Sequence, residues 1–178
     1  AWQFGRTIGG RPRLAMEALA AIFALLTLAM LVRHAMHGGI IDSSAPTLAE
    51  QAIYTLIALG FGAILISIEL KSPSAVMRWG SIGIGVVSVA AIVVQHFVLL
   101  NPFFTDEPTG SVPFFNLLFI AYLLPVFAAG GLAWYARGKR PQWYGIMLAT
   151  TAAALAFVYA TLSVRRLFTG ERIGWQYR

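Results

Sequence analysis

Five long apolar stretches leave this chain few possible folds. Each is about as long as the roughly 20 apolar residues that a helix needs to cross the hydrocarbon core of a bilayer. Only 11% of the 178 residues are charged and the mean hydropathy is +0.74, whereas soluble domains carry about 25% charged residues. We therefore predict an all-α, polytopic transmembrane helical bundle. The five predicted spanning helices are residues 14–37, 47–70, 74–100, 114–137 and 142–168.

The segments between these helices carry ordinary boundary signals. Thr47 and Glu50 stand in the spacing of a capping box, which predicts the start of the second helix. Residues 1–13 form a basic segment that could include the end of a preceding helix, and residues 169–178 form a tail on the outer side. The chain has no cysteine, so disulfides and thiolate metal sites are excluded.

A repeat with a long period organises the chain. The motif Val-Arg-x-x-x-x-Gly at 32–38 recurs 132 positions later at 164–170, and each copy closes an apolar run. The segment at 9–12 similarly matches the segment at 138–141. Matching punctuation at a fixed period is typical of repeat architectures. We therefore expect one four-helix repeat followed by the first helix of the next, within a longer parent chain.

Basic residues predict the orientation in the membrane. Short basic loops stay in the cytoplasm, and eight of the thirteen Lys and Arg residues fall on one predicted side. They are Arg6, Arg11, Arg13, Lys71, Arg78, Arg137, Lys139 and Arg140. This pattern predicts a cytoplasmic N-terminus and a periplasmic or extracellular C-terminus. The basic residues are scattered at helix ends, so the net charge of +6 does not indicate nucleic-acid binding.

Three segments resemble a known family. They are the Val-Arg-x-x-x-x-Gly end of the fifth helix, the loop at 101–110 with the Pro- and Asn-containing segment that follows it, and residues 49–56. Together they resemble the large bacterial multi-spanning membrane proteins of domain-of-unknown-function family 2339, over about residues 14–172. The resemblance implies an integral protein of a bacterial inner membrane and a longer parent chain. It implies no catalytic residues.

Three histidines are the candidates for a metal or haem. The predicted topology places His34, His37 and His96 near the outer face, and His34 and His37 lie on one helical face. Imidazoles can bind transition metals or haem iron. The alternative is that they are interfacial side chains at helix ends. No cofactor is predicted, although a contact with haem or pigment remains open.

Pro125 indicates a second candidate site. It falls near the middle of the fourth predicted helix, where it should kink the helix and free a backbone carbonyl that a neighbour or water must satisfy. This part of the chain could line an outward-facing pocket, or it could be a purely structural kink. The candidate pocket residues are Arg33, His96, Asn101, Glu107, Asn116, Tyr122, Pro125 and Arg165.

Charged residues near the helix ends are expected to be paired, and the alternative is a role in a proton relay. Glu17 can pair with Arg13, four residues earlier. Glu69 can pair with Lys71 or Arg78. No charge lies near the centre of a predicted span, which argues against an ion-coupled carrier with its site in this chain.

Small residues at helical spacing predict close helix packing. Ala58 with Gly62 and Ser81 with Gly85 form two such pairs, and a longer ridge lies on the fifth helix. The ridge consists of Ala152, Ala156 and Ala160.

The sequence contains no recognisable catalytic constellation, so it leans against an enzyme without deciding the matter. Three hypotheses for function remain. The first, which we favour, is a structural or accessory subunit whose partners are the lipid bilayer and other membrane helices. The second is a transporter or a lipid- or glycan-handling protein with a pocket near Pro125. The third is a redox subunit that binds haem or metal through the three histidines.

Overall fold

The computed structural model describes residues 10–39, 44–105, 107–112 and 115–176, and every regular element in them is helical. The predicted all-helical bundle is therefore confirmed. The elements are α1 (Arg11–Met36), α2 (Leu48–Lys71), α3 (Ala75–Ala91) with a π-helical continuation (Ile92–Leu99), α4 (Pro102–Thr105), a π-helical segment (Phe119–Leu123) that leads into α5 (Leu124–Tyr135), and α6 (Gln142–Thr169). The predicted basic segment at 1–9, Asp106 and the last two residues of the predicted tail lie outside the described residues.

Four helices in the described part of the chain are long and apolar enough to cross a membrane. They are Arg11–Met36, Leu48–Lys71, Ala75–Thr105 and Gln142–Thr169. The fifth apolar helix, Phe119–Tyr135, is shorter than these four.

The fourth helix is shorter in the structure than the predicted range 114–137. Among the described residues of this range, helix is found over 117–135. The Asn116 side-chain oxygen accepts a hydrogen bond from the Phe119 backbone N–H at 3.1 Å. A side chain that accepts from a first-turn N–H caps a helix, so Asn116 sets a later start than the apolar pattern alone indicates.

The α2 N-terminus only partly follows the capping box. The Thr47 hydroxyl accepts from the Glu50 backbone N–H at 3.2 Å, as the spacing predicts. The Glu50 carboxylate, which would turn back towards Thr47 in a full capping box, is instead bonded by Arg33, His37 and Tyr54.

The core lies between α2, α3, α5 and α6 and is built on close approaches at small residues. The closest approach is at Gly85, where an added Cβ would lie 2.6 Å from Cε2 of Tyr144 and closer still to its hydroxyl. At Gly62 an added Cβ would meet Ile84 at 3.4 Å. The predicted Ser81 and Gly85 pair is therefore a packing site, because Ser81 is fully buried as well.

The other small residues pack less completely. Ala58 is half-buried and borders a small apolar gap towards α1. On the α6 ridge, Ala152 is buried and lies opposite Gly130 of α5. Ala156 is half-buried and Ala160 is exposed. Burial along the ridge by the described residues therefore decreases from Ala152 to Ala160.

Helix α1 lies at the periphery of the bundle. Glu17 is its one buried residue, and most of its large apolar side chains are exposed. The exposed ones are Leu14, Leu19, Ile22, Phe23, Leu26, Leu28, Met30, Leu31 and Met36.

Polar contacts define the two ends of the bundle. At the end that we call the basic end, Arg13 of α1 reaches Ser72 in the α2–α3 turn, and Arg140 in the α5–α6 turn reaches Glu69 of α2. At the end that we call the opposite end, Arg33 of α1 meets Glu50 at the start of α2.

Candidate functional site

A buried carboxylate, that of Glu50, lies at the opposite end of the bundle. Glu50 has no exposed surface. The Arg33 Nη1 donates to its two carboxylate oxygens at 3.1 and 3.3 Å, and the Tyr54 hydroxyl donates to Oε1 at 2.6 Å. The His37 Nε2 lies 3.0 Å from Oε2. Both oxygens are thus satisfied, which is what a buried charge requires.

Sequence reasoning missed this cluster because it assigned Glu50 to a helix cap. Arg33 and His37 are four residues apart in the last turns of α1, and Glu50 and Tyr54 are four residues apart in the first turns of α2. Residues at that spacing share a helix face. Two such polar pairs on either side of a short connection are a signal that could have predicted the contact.

His96 forms a second buried polar group. Its Nδ1 lies 2.9 Å from the Ala121 carbonyl oxygen and its Nε2 lies 3.1 Å from the Thr55 hydroxyl. A carbonyl oxygen only accepts, so Nδ1 donates to Ala121. The Thr55 hydroxyl that lies beside Nε2 also donates to the Gln51 carbonyl at 3.0 Å. The Tyr122 hydroxyl donates to the His96 carbonyl at 2.7 Å.

Pro125 explains why a histidine is needed there. Proline has no N–H, so Pro125 leaves the carbonyl four residues earlier, that of Ala121, without its helical donor. The predicted freed carbonyl is confirmed, and the neighbour that satisfies it is His96. The turn before the proline is π-helical, over Phe119–Leu123, as is common where a helix accommodates an interruption.

Of the eight residues predicted to line one pocket, the structure brings three together, because the Tyr122 hydroxyl bonds the His96 backbone and His96 binds the carbonyl freed by Pro125. His96, Tyr122 and Pro125 are buried in the helix interface, and Asn101 is buried as it caps α4 by accepting from the Phe103 N–H at 3.0 Å.

Glu107 and Asn116 border a shallow cavity of about 480 Å³. It is formed by the loop at residues 107–112 and by the start of the helix that leads into α5. This loop lies outside the spanning segments. Burial raises the pKa of the Glu107 carboxyl above its ordinary value, and a hydrogen bond with the backbone of Leu48 opposes that rise.

The two remaining pocket candidates, Arg33 and Arg165, occupy matching positions of the repeat and make similar hydrogen bonds. The Arg33 Nη2 donates to the Ser44 carbonyl at 2.6 Å. Arg165 donates to the carbonyls of Ile173 and Gly174 at 2.7 and 2.8 Å. Each arginine therefore lies in the last turns of a long helix and fixes the segment that follows that helix, which supports the predicted repeat.

The three histidines do not meet. His96 is bonded inside the bundle, His37 binds Glu50, and the His34 ring lies beside Gly39. No group of three His, Cys, Asp or Glu side chains that could hold a metal is found among the described residues. A haem or metal role for these histidines stays a prediction.

At the basic end the charges are paired across helices. The predicted pair of Glu17 with Arg13 is confirmed at 2.9 Å, and the Ser74 hydroxyl also donates to Glu17. The prediction for Glu69 is wrong, because its partner is Arg140 at 3.1 Å and not Lys71 or Arg78.

Arg140 reaches Glu69 because of the tight α5–α6 turn. Gly138 adopts a positive φ of 70°, which residues other than glycine rarely adopt. This conformation directs Arg140 into the bundle, where its Nε donates to the Ser81 hydroxyl at 2.7 Å. The Tyr144 hydroxyl donates to the Ser81 carbonyl at 3.0 Å, so one small residue of α3 anchors both α6 and the turn before it.

Comparison with known proteins gives one match. A family model described as "Predicted membrane protein (DUF2339)" matches residues 1–176. No curated protein and no solved structure matches the chain.

Proposed function

We propose that this chain, which belongs to the DUF2339 family of predicted membrane proteins, is a structural unit of a transmembrane helical assembly. Its polar interior supports this proposal. The buried groups at Glu50 and His96 are bonded to neighbouring helices. Such bonds hold neighbouring helices in a defined arrangement, which suits a structural role.

The observation that carries the proposal is a difference between matching positions of α1 and α6. Leu155 and Leu162 of α6 have exposed fractions of 0% and 4%. Their counterparts 132 positions earlier, Phe23 and Met30 of α1, have exposed fractions of 63% and 49%. A repeat unit buries its apolar faces by stacking on its neighbours. We infer that another helix covers the α1 face of Phe23 and Met30, as neighbouring helices cover the α6 face of Leu155 and Leu162.

The contacts of α6 indicate what would cover α1. Leu155 and Leu162 lie in one buried cluster with Leu118, Ala121 and Tyr122, at the start of the helix that continues into α5. The proposed occupant is therefore a transmembrane helix that resembles this Phe119–Tyr135 helix, contributed by another unit of the repeat.

A photo-crosslinking amino acid at Phe23 of the full-length protein in native membranes tests the proposal. The matched control is Phe157, a phenylalanine of α6 that is 73% exposed and whose counterpart in α1, Leu25, is half-buried. We expect Phe23 to cross-link to a peptide that resembles the Phe119–Tyr135 helix, identified by mass spectrometry, and Phe157 to cross-link to lipid. Lipid adducts alone at Phe23, or a peptide of unrelated sequence, would refute the proposal.

We further propose that the membrane is a bacterial inner membrane and that the basic end is cytoplasmic. The support is the concentration of lysine and arginine at that end. Because the chain has no cysteine, single cysteines can report the orientation. A cysteine at Ser72 should react with a membrane-impermeant maleimide only after the cells are opened, and a cysteine at Ser111 should react in intact spheroplasts. The reverse pattern would invert the orientation.

A further inference from the structure

We infer that the groove between α1 and α2 at the basic end binds one acyl chain of an anionic phospholipid, with the lipid phosphate at Lys71. The groove encloses about 430 Å³. Its walls are Ala20, Ala21 and Ala24 of α1, Phe61, Ile64, Leu65 and Ile68 of α2, and Met77 of α3, and Glu17 and Lys71 lie at its polar end.

The groove exists because the side chains of α1 that face α2 are small. Ala20, Ala21 and Ala24 follow one another on one face of α1. The larger side chains of Phe23 and Met30 lie on another side of the helix and do not line the groove. The lipid site is therefore separate from the helix-docking face proposed above, and either can fail without the other.

The size of the groove favours a thin occupant. A helix with its side chains is about 10 Å across and rises about 5.4 Å per turn. The 430 Å³ of the groove would thus hold about one helical turn. An extended acyl chain is much thinner than a helix and can lie along the apolar walls in van der Waals contact with them.

The charges at the polar end match an anionic headgroup. The Glu17 carboxylate is already bonded by Arg13 and Ser74, so it leaves little uncompensated negative charge. Lys71 is exposed, and no partner of its ammonium group is found within the described ranges. A lysine in the last turn of a spanning helix extends its head to the interface, where an anionic lipid attracts it by about 1 kcal/mol.

The test is lipid retention by the full-length protein. The protein is exchanged into nanodiscs of phosphatidylcholine that contain a minor fraction of phosphatidylglycerol, and native mass spectrometry measures the lipids that stay bound. Ala24→Leu should fill the groove and abolish preferential retention of phosphatidylglycerol. Lys71→Gln should weaken that retention about fivefold, the equivalent of about 1 kcal/mol.

Two controls make the result specific. Ala153→Leu adds the same bulk at an exposed position of α6, and Arg137→Gln removes an exposed cation of the same end. Both should retain lipid as the unchanged protein does. Equal losses in Lys71→Gln and Arg137→Gln would show surface charge alone and overturn the inference.

Full retention in Ala24→Leu would also overturn it, as would displacement of the lipid by inorganic phosphate, which would indicate a site for the anion only. If Ala24→Leu proves unfolded by circular dichroism, Ala20→Leu fills the same groove and serves in its place, with the same two outcomes.

Discussion

Replacement of Gly85 by alanine tests the packing of α3 against α6. The Cβ of an alanine at position 85 would lie 2.6 Å from Cε2 of Tyr144, and its contact with the hydroxyl would be closer. Tyr144 cannot move away freely, because it is fully buried and its hydroxyl donates to the Ser81 carbonyl at 3.0 Å. The new methyl group must therefore displace a ring in the core.

The expected cost follows from these contacts. Overpacking a filled core costs about 1–3 kcal/mol, and loss of the tyrosine hydrogen bond adds about 1 kcal/mol. We expect Gly85→Ala to lower the free energy of unfolding by about 2–4 kcal/mol. Gly83 is the matched control, because it lies on the same helix and an added Cβ there meets nothing within 4 Å. Gly83→Ala should be neutral or stabilise by up to about 1 kcal/mol.

Reversible unfolding in mixed micelles of dodecyl sulfate, followed by circular dichroism, measures both variants. A third variant isolates the contact. Tyr144→Leu removes the ring, so Gly85→Ala should cost much less in that background than in the unchanged protein, with a coupling of about 1–3 kcal/mol. Equal stabilities of the Gly85 and Gly83 variants, or strictly additive effects of Gly85→Ala and Tyr144→Leu, would refute the reasoning.

Three further predictions follow from the polar contacts. Glu50→Gln leaves Arg33 without its buried counter-charge and should destabilise the protein by about 3–5 kcal/mol in the same unfolding assay; an effect below about 1 kcal/mol would contradict the buried ion pair. His96→Phe should destabilise the protein by about 1–3 kcal/mol because the Ala121 carbonyl loses its donor. Adding Pro125→Ala should recover part of that stability, because alanine restores a backbone N–H donor. If no stability is recovered, His96 and Pro125 are not linked through this carbonyl. Glu107 has a raised pKa in the folded state, so its ionisation opposes folding, and stability falls as pH rises from its ordinary pKa towards the raised one. Glu107→Gln should remove this decline, and an unchanged dependence of stability on pH would contradict the assignment of the decline to Glu107.

The arginines show how a contact can be partly read from a sequence. The repeat predicted that Arg33 and Arg165 are equivalent, and both fix the segment after their helix. The same pattern gave no means of choosing a partner for Glu69. Lys71 and Arg78 are nearer in sequence, yet Arg140 binds it from 71 residues away. Sequence distance ranks partners only within a helix or a tight turn.

The apolar runs and the helix-end residues of this chain determined that it is a helical membrane bundle, and the spacing of Ser81 and Gly85 predicted a close approach. These properties belong to contiguous residues, because span length, helical period and helix capping are local. Only the tertiary structure decided that Glu50 is a buried ion-pair centre and that His96 satisfies the carbonyl freed by Pro125. The physical reason is that side-chain partners depend on how each helix is rotated and where it crosses its neighbours, and this arrangement is set by packing over the whole bundle.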